Sequence, residues 1–193
     1  MRWLAKYIGV VLVHKWAIVV AGHDVNRAIA PTGLRVSLRR LVLHDLSKFS
    51  RAELVPYARH FARHDRTVPD AAFDAAWRHH YEYNDHHPEH FAGARMPDEA
   101  VVEMVVDWMA ASRAYEGAWP CCGGHWRWLE HSWDTLTLHP DNKALAGAIA
   151  CALGFAIAIP TYDWGASITD PRLAAQIAAL RPRVTFDGQP RAK

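Results

Sequence analysis

The sequence is short of several things, and each shortage excludes a class of protein. Three cysteines in 193 residues exclude a disulfide scaffold, and an odd number cannot pair completely within one chain. With 22 Lys and Arg against 20 Asp and Glu, a net of +2, no one-signed field marks a nucleic-acid or anionic-membrane partner. The apolar run from Ala144 to Ile159 has 16 residues, fewer than the roughly 20 needed to cross a bilayer, and reads as a buried helix or a contact with a partner subunit. The N-terminal apolar run is broken by His14 and Lys15, so it lacks a continuous secretory core. These features predict a cytoplasmic protein. Alternating strand patterns, Asn-Gly hairpin signals, internal repeats and low-complexity linkers are missing as well.

What is present is helical periodicity. Apolar residues recur at spacings of three and four almost throughout, which predicts a single all-α domain over residues 1–193. Helices are expected at about Trp3 to Ala28, Leu34 to Leu43, Arg51 to Arg63, Pro69 to Tyr81, Pro97 to Tyr115, Trp126 to Thr135, Asn142 to Ile159 and Pro171 to Leu180. Gly33, Gly93, Gly123, Gly124 and Pro160 punctuate them. Asp70, Asp98 and Asp141 fall near helix starts, where a carboxylate caps free amides. The segment 182–193 reads as a frayed tail.

The excess is in histidine: 13 residues, with His79, His80, His86, His87 and His90 inside twelve positions. On a helix, His14 has Val10, Val11, Ala17 and Ile18 as its neighbours, so it points inward, as a core histidine or a ligand. His44-Asp45 follows Leu41-Val42-Leu43 and precedes Lys48, which puts imidazole, carboxylate and ammonium at the end of a buried helix. His23-Asp24 and His64-Asp65 sit in polar surroundings and read as surface. Glu99, Glu103 and Asp107 lie four apart and form one stripe on an otherwise apolar helix. That stripe is a solvated edge or, at Asp107, an inward ligand. The histidine pairs 79/80 and 86/87 lie two helical turns apart. Imidazole with carboxylate suits Zn, Mn, Fe, Co or Ni, and a carboxylate can bridge two ions.

In this order, His14, His44-Asp45 with Lys48, the paired histidines and Asp107 resemble the HD-domain superfamily of metal-dependent phosphohydrolases. The intervals of 30 residues from His14 to His44 and 62 from Asp45 to Asp107 are similar to those of that all-helical fold. The narrower set resembles an uncharacterised bacterial and phage family related to it: His14-Lys15-Trp16, His44 through Ser50, Pro56 through Phe61, Trp77 with His79-His80, Asn84 with His86-His87, and Glu103 with Asp107-Trp108. The resemblance implies an HD-like core at about 5–118, followed by a helical extension over about 119–181.

It further implies that His14, His44, Asp45 and Asp107 ligate a first divalent metal. Asp45 would bridge to a second held by His80 and His86, with His79 and His87 as competitors for those places. The HD branches with two metals space these histidines more widely than the six residues here, which leaves one or two ions. Asp45 would orient the attacking water or take its proton. Lys48, with Arg113, His79 and His87, would face the substrate, a nucleotide or other small phosphate ester. Such a metal lowers the pKa of bound water toward neutrality, and its uptake weakens below about pH 6 as imidazoles protonate. Two other readings share the ligands: a diiron oxygenase acting on a small organic substrate, and a non-catalytic binding protein stabilised by metal. Cys121-Cys122 with His125 lacks the Cys-x2-Cys spacing of a zinc site. The nine tryptophans, without a basic groove, read as core or as a homo-oligomer contact.

Overall fold

The computed structural model describes residues 2–63, 68–120, 126–155 and 168–180. Expectations placed on His64-Asp65, the segment 121–125, the stretch 156–160 and the tail after Leu180 fall outside the described residues. The described residues are helical, with no strand among them: α1 (Arg2–Ile29), α2 (Leu38–Leu43), α3 (Leu54–Ala62), α4 (Ala71–Tyr83), α5 (Asp98–Ala111), α6 (Arg127–Ser132), α7 (Pro140–Ala152) and α8 (Pro171–Ala178).

The helix α1 organises the rest. It buries Tyr7, Val11, His14, Ile18, Ala21, Gly22, Val25 and Ile29, a stripe at alternating spacings of four and three that keeps one face inward over its whole length. Its N-terminal part packs Tyr7 and Val11 with Tyr57, Ala58 and Ala76 of α3 and α4. Its C-terminal part packs Ala17 through Ile29 into the main core with α5 and α7. His14 lies on the stripe where one core gives way to the other. By length and composition the segment Arg2–Thr32 is apolar enough to span a membrane, though a third of its most apolar window is buried inside the protein. After Ile29 a 3-10 turn, Ala30–Thr32, closes on Gly33, left-handed at φ 75°, a conformation that favours glycine.

Short helix α2 then returns along α1. It begins at Ser37, later than the expected Leu34, because the Ser37 side chain accepts from the Arg40 amide and Asn26 holds both the N–H and C=O of Val36 at 2.9 Å. Gly22 gives α2 room: a Cβ there would meet Leu41 Cδ1 at 2.5 Å. Asp45 ends the helix in the left-handed region at φ 57° and turns the chain into a 3-10 segment, Leu46–Phe49. Aspartate and asparagine are the side chains that tolerate this conformation best after glycine.

Of the expected caps, Asp70 accepts from the Phe73 amide. Asp98 and Asp141 do other work. Asp98 pairs with Arg95 at 2.9 Å. Asp141 receives the backbone and hydroxyl of Thr169, both at 2.8 Å, while His139 caps α7. The helix α7 stops at Ala152 and turns at Gly154, φ 85°, short of the expected Ile159. Ala144 through Ala150 are buried in the same core as α1 and α5, so this part of the run packs within the chain.

Candidate metal centre

Five histidines and two aspartates converge where α1, the end of α2, α4 and α5 meet. His14 Nε2 lies 3.3 Å from His44 Nε2, 3.4 Å from Asp45 Oδ2 and 3.0 Å from Asp107 Oδ1. His44 Nε2 is 3.4 Å from each of the same two carboxylate oxygens. Four donors around one ion at roughly 2.0–2.1 Å have edges of about 3.3 Å when tetrahedral, so these spacings suit a shared cation. On the other side of Asp45, Oδ1 is 3.3 Å from His80 Nε2 and 3.5 Å from His86 Nε2. His87 Nε2 is 3.0 Å from His80 Nε2. The two oxygens of Asp45 thus face two donor sets, His14, His44 and Asp107 on one side and His80, His86 and His87 on the other.

Asp45 is fully buried and His14 is 2% exposed. Asp45 Oδ1 and His86 Nε2 have no hydrogen-bond partner, and Asp45 Oδ2 is met by the Lys48 ammonium. Buried polar atoms in this condition are rare, and here they point at one another's vicinity. The Nδ1 atoms show why the Nε2 atoms are free. His44 Nδ1 donates to Glu103 Oε1 at 2.9 Å, and His86 Nδ1 is 3.5 Å from the same oxygen. His80 Nδ1 donates to Glu53 Oε2 at 2.8 Å. With a proton fixed on Nδ1, each ring leaves Nε2 as the atom turned inward. Nε2 atoms facing each other across about 3 Å need a shared proton or a metal cation between them. The donor set therefore fits a divalent ion at either position.

Both supporting glutamates are buried and held. Glu103 Oε2 accepts from Arg40 Nε at 2.5 Å, and Arg40 also pairs with Asp85. Neither was apparent from the sequence. Glu103 belongs to the acidic stripe expected to be solvated, yet it is buried while Glu99 and Asp107 are partly exposed, Glu99 accepting from the Ser37 amide. Its spacing of four from Asp107 was the available signal. Glu53 had none.

Lys48 Nζ lies 2.5 Å from Asp45 Oδ2. Burial opposes its charge, but Asp45 outweighs this and holds its pKa well above the usual range. Asp45 is likewise held well below the carboxylate range: His44 and Lys48 outweigh its burial. Among the residues expected on the substrate side, His87 lies with the donors, while His79 Nδ1 bonds Glu53 Oε1 at 2.7 Å. Arg113 is engaged elsewhere. A π-helical turn, Ser112–Glu116, interrupts the helix expected to run to Tyr115, and it lays the guanidinium over Trp16 and against the Gly117 carbonyl.

Two outcomes follow. Glu103→Gln lowers metal affinity about 10- to 100-fold, the usual cost of losing a supporting carboxylate, and titration with a competing chelator measures it. Metal uptake at pH 7 also releases protons. Burial would lower the pKa of His44, but Asp45 and then Asp107 outweigh it and raise it well above the ordinary value, so the ion-free ring is cationic and must lose its proton to bind metal. By contrast, burial, with His44 and His87 adding to it, lowers His86, and burial brings His87 to about 4, so those two are already neutral. Affinity accordingly rises with pH, about tenfold per unit for one proton released. Calorimetry in buffers of different ionisation heat reads the proton count, and a count of zero contradicts the assignment.

Fold and site together define an all-helical protein with a buried histidine–carboxylate centre able to hold a metal ion. The chain belongs to the Family of unknown function (DUF5662), whose model matches residues 4–151. That span contains every donor above and continues past residue 118 into α7. No curated protein and no solved structure matches the chain.

Proposed function

We propose that this is a cytoplasmic metal-dependent phosphohydrolase acting on a nucleotide or another small phosphate ester, in keeping with the HD-domain resemblance. The observation that carries the reading is Asp45, whose two oxygens divide between two donor sets while Lys48 rests on one of them. A divalent metal bound there supplies a Lewis acid and a water of lowered pKa. Asp45, held ionised, would orient the nucleophile. Lys48 places its ammonium on Asp45 Oδ2 and would turn toward an anionic substrate if a cation shared that oxygen. Its raised pKa keeps it charged for that role. The apolar rings of Tyr57 and Trp77, both packed on His80, limit water around the second set and strengthen the local field.

The test is to assay bound metal in the purified protein, then screen phosphomonoesters, dNTPs and cyclic nucleotides with Mn, Co, Fe and Mg. Hydrolysis that chelation abolishes and metal restores is expected. Metal-free, inactive protein under all these conditions contradicts the reading. The shared carboxylate equally suits two irons, so dioxygen-dependent turnover with a diiron Mössbauer signature would replace hydrolysis by oxidation.

A further inference from the structure

Two polar groups beside the centre have no task in the fold. The hydroxyls of Tyr7 and Tyr57 are buried and have no hydrogen-bond partner, in side chains each only 4% exposed. Leaving a buried hydroxyl unpaired is costly, and phenylalanine would fill either position without that cost. The two rings stack at 6.2 Å, and Tyr57 meets the His80 ring edge-on at 5.8 Å. Tyr7 lies on the same α1 stripe as His14, two helical turns before it. Both phenols are within electrostatic reach of Lys48, Asp45 and Glu53. A phenol keeps its O–H proton at neutral pH and so is a donor. Around them are Phe61 and Phe73, an apolar wall in which a hydrogen bond to a charged acceptor is strong.

We propose that the Tyr7 and Tyr57 hydroxyls, together with Lys48, form an oxyanion subsite that receives the phosphate oxygens of the substrate beside the metal centre. The phenols donate and the ammonium neutralises, so the subsite selects a dianionic phosphate over a neutral ester. It lies on the face of α1 and α3, and specificity for charge is built into the N-terminal half of α1. The substrate class rests on the hydrolytic reading; the anion-binding role of the hydroxyls is separable from it.

Calorimetric binding of inorganic phosphate to the Mn-supplemented protein tests this without requiring turnover. Tyr7→Phe and Tyr57→Phe each weaken phosphate binding about 10-fold, and the double variant about 100-fold, as expected for a hydrogen bond to a charged group. At the same time the melting temperature of the phosphate-free protein is unchanged or higher, because the variant removes an unpaired hydroxyl. A merely structural tyrosine would lower the melting temperature and leave phosphate affinity alone. Equal affinity in the variants, or no phosphate binding by the wild type, overturns the subsite. If phosphate binding depends on the tyrosines but no ester is hydrolysed, the subsite stands and the hydrolytic reading falls. If esters are hydrolysed and the variants bind phosphate equally, the reverse holds.

Discussion

Asp45→Asn empties both donor sets and lowers turnover by roughly 1000-fold or more, since metal-derived stabilisation of a transition state is worth several kcal/mol and each ~1.4 kcal/mol is tenfold in rate. Asparagine is the informative replacement. It keeps the size of the side chain and tolerates the left-handed backbone at φ 57°, whereas alanine would add strain there. What is removed is charge. Asp45 gives one oxygen to each set: Oδ2 approaches His14 and His44 at 3.4 Å, and Oδ1 approaches His80 and His86 at 3.3 and 3.5 Å. The variant also strands the buried ammonium of Lys48, and breaking a buried ion pair by removing one partner costs about 3–5 kcal/mol. The double variant Asp45→Asn/Lys48→Met removes both charges, so its stability recovers while metal binding and activity stay lost. Urea denaturation beside elemental analysis separates the two effects. Retained metal in Asp45→Asn would remove the bridging assignment.

Lys48→Met has the second-largest effect and a different signature. It lowers kcat/KM about 100- to 1000-fold, the cost of removing one preorganised group that stabilises developing negative charge, with metal content intact. Methionine fills the space of the lysine stem without its charge. Losing the Lys48 contact to Asp45 Oδ2 at 2.5 Å removes a competitor for that oxygen, so metal affinity is unchanged or higher. Steady-state kinetics at saturating metal, with bound metal measured on the same preparation, provides the check. A variant that loses metal in step with activity would make Lys48 a structural support of Asp45.

The parts of this centre legible in the sequence are those whose burial is encoded locally. His14 stands in a stripe spaced by threes and fours, and such a stripe has only one inward face. Asp107 lies on a helix whose other faces are apolar, whereas His44 and Asp45 follow a helix expected to be buried that buries only Leu41, with Leu38, Val42 and Leu43 exposed. The supporting carboxylates were illegible for the complementary reason. Glu103 reaches a histidine 59 positions away and Glu53 one 27 away; Glu103 had only its spacing of four from Asp107 as a signal, and nothing beside Glu53 distinguishes it from a solvated acid. The ring assignment within 79–87 depended on the helix ending at Tyr83 with Asn84 extended, which swings His86 and His87 back over His80 and leaves His79 to Glu53. Arg113, expected beside the substrate, sits in a π-helical turn and lies over Trp16 and against the Gly117 carbonyl, a rare local conformation that helical periodicity does not announce.

The most direct measurement is anomalous scattering from crystals of the metal-replete protein, collected across the absorption edge of whichever metal elemental analysis identifies. The expected map has a peak within about 2.3 Å of Asp45 Oδ2 and the Nε2 atoms of His14 and His44. With two ions bound, a second peak lies between Asp45 Oδ1 and His80, His86 and His87. A metal-replete crystal with no anomalous peak within ligand distance of Asp45 would contradict the metal centre described here.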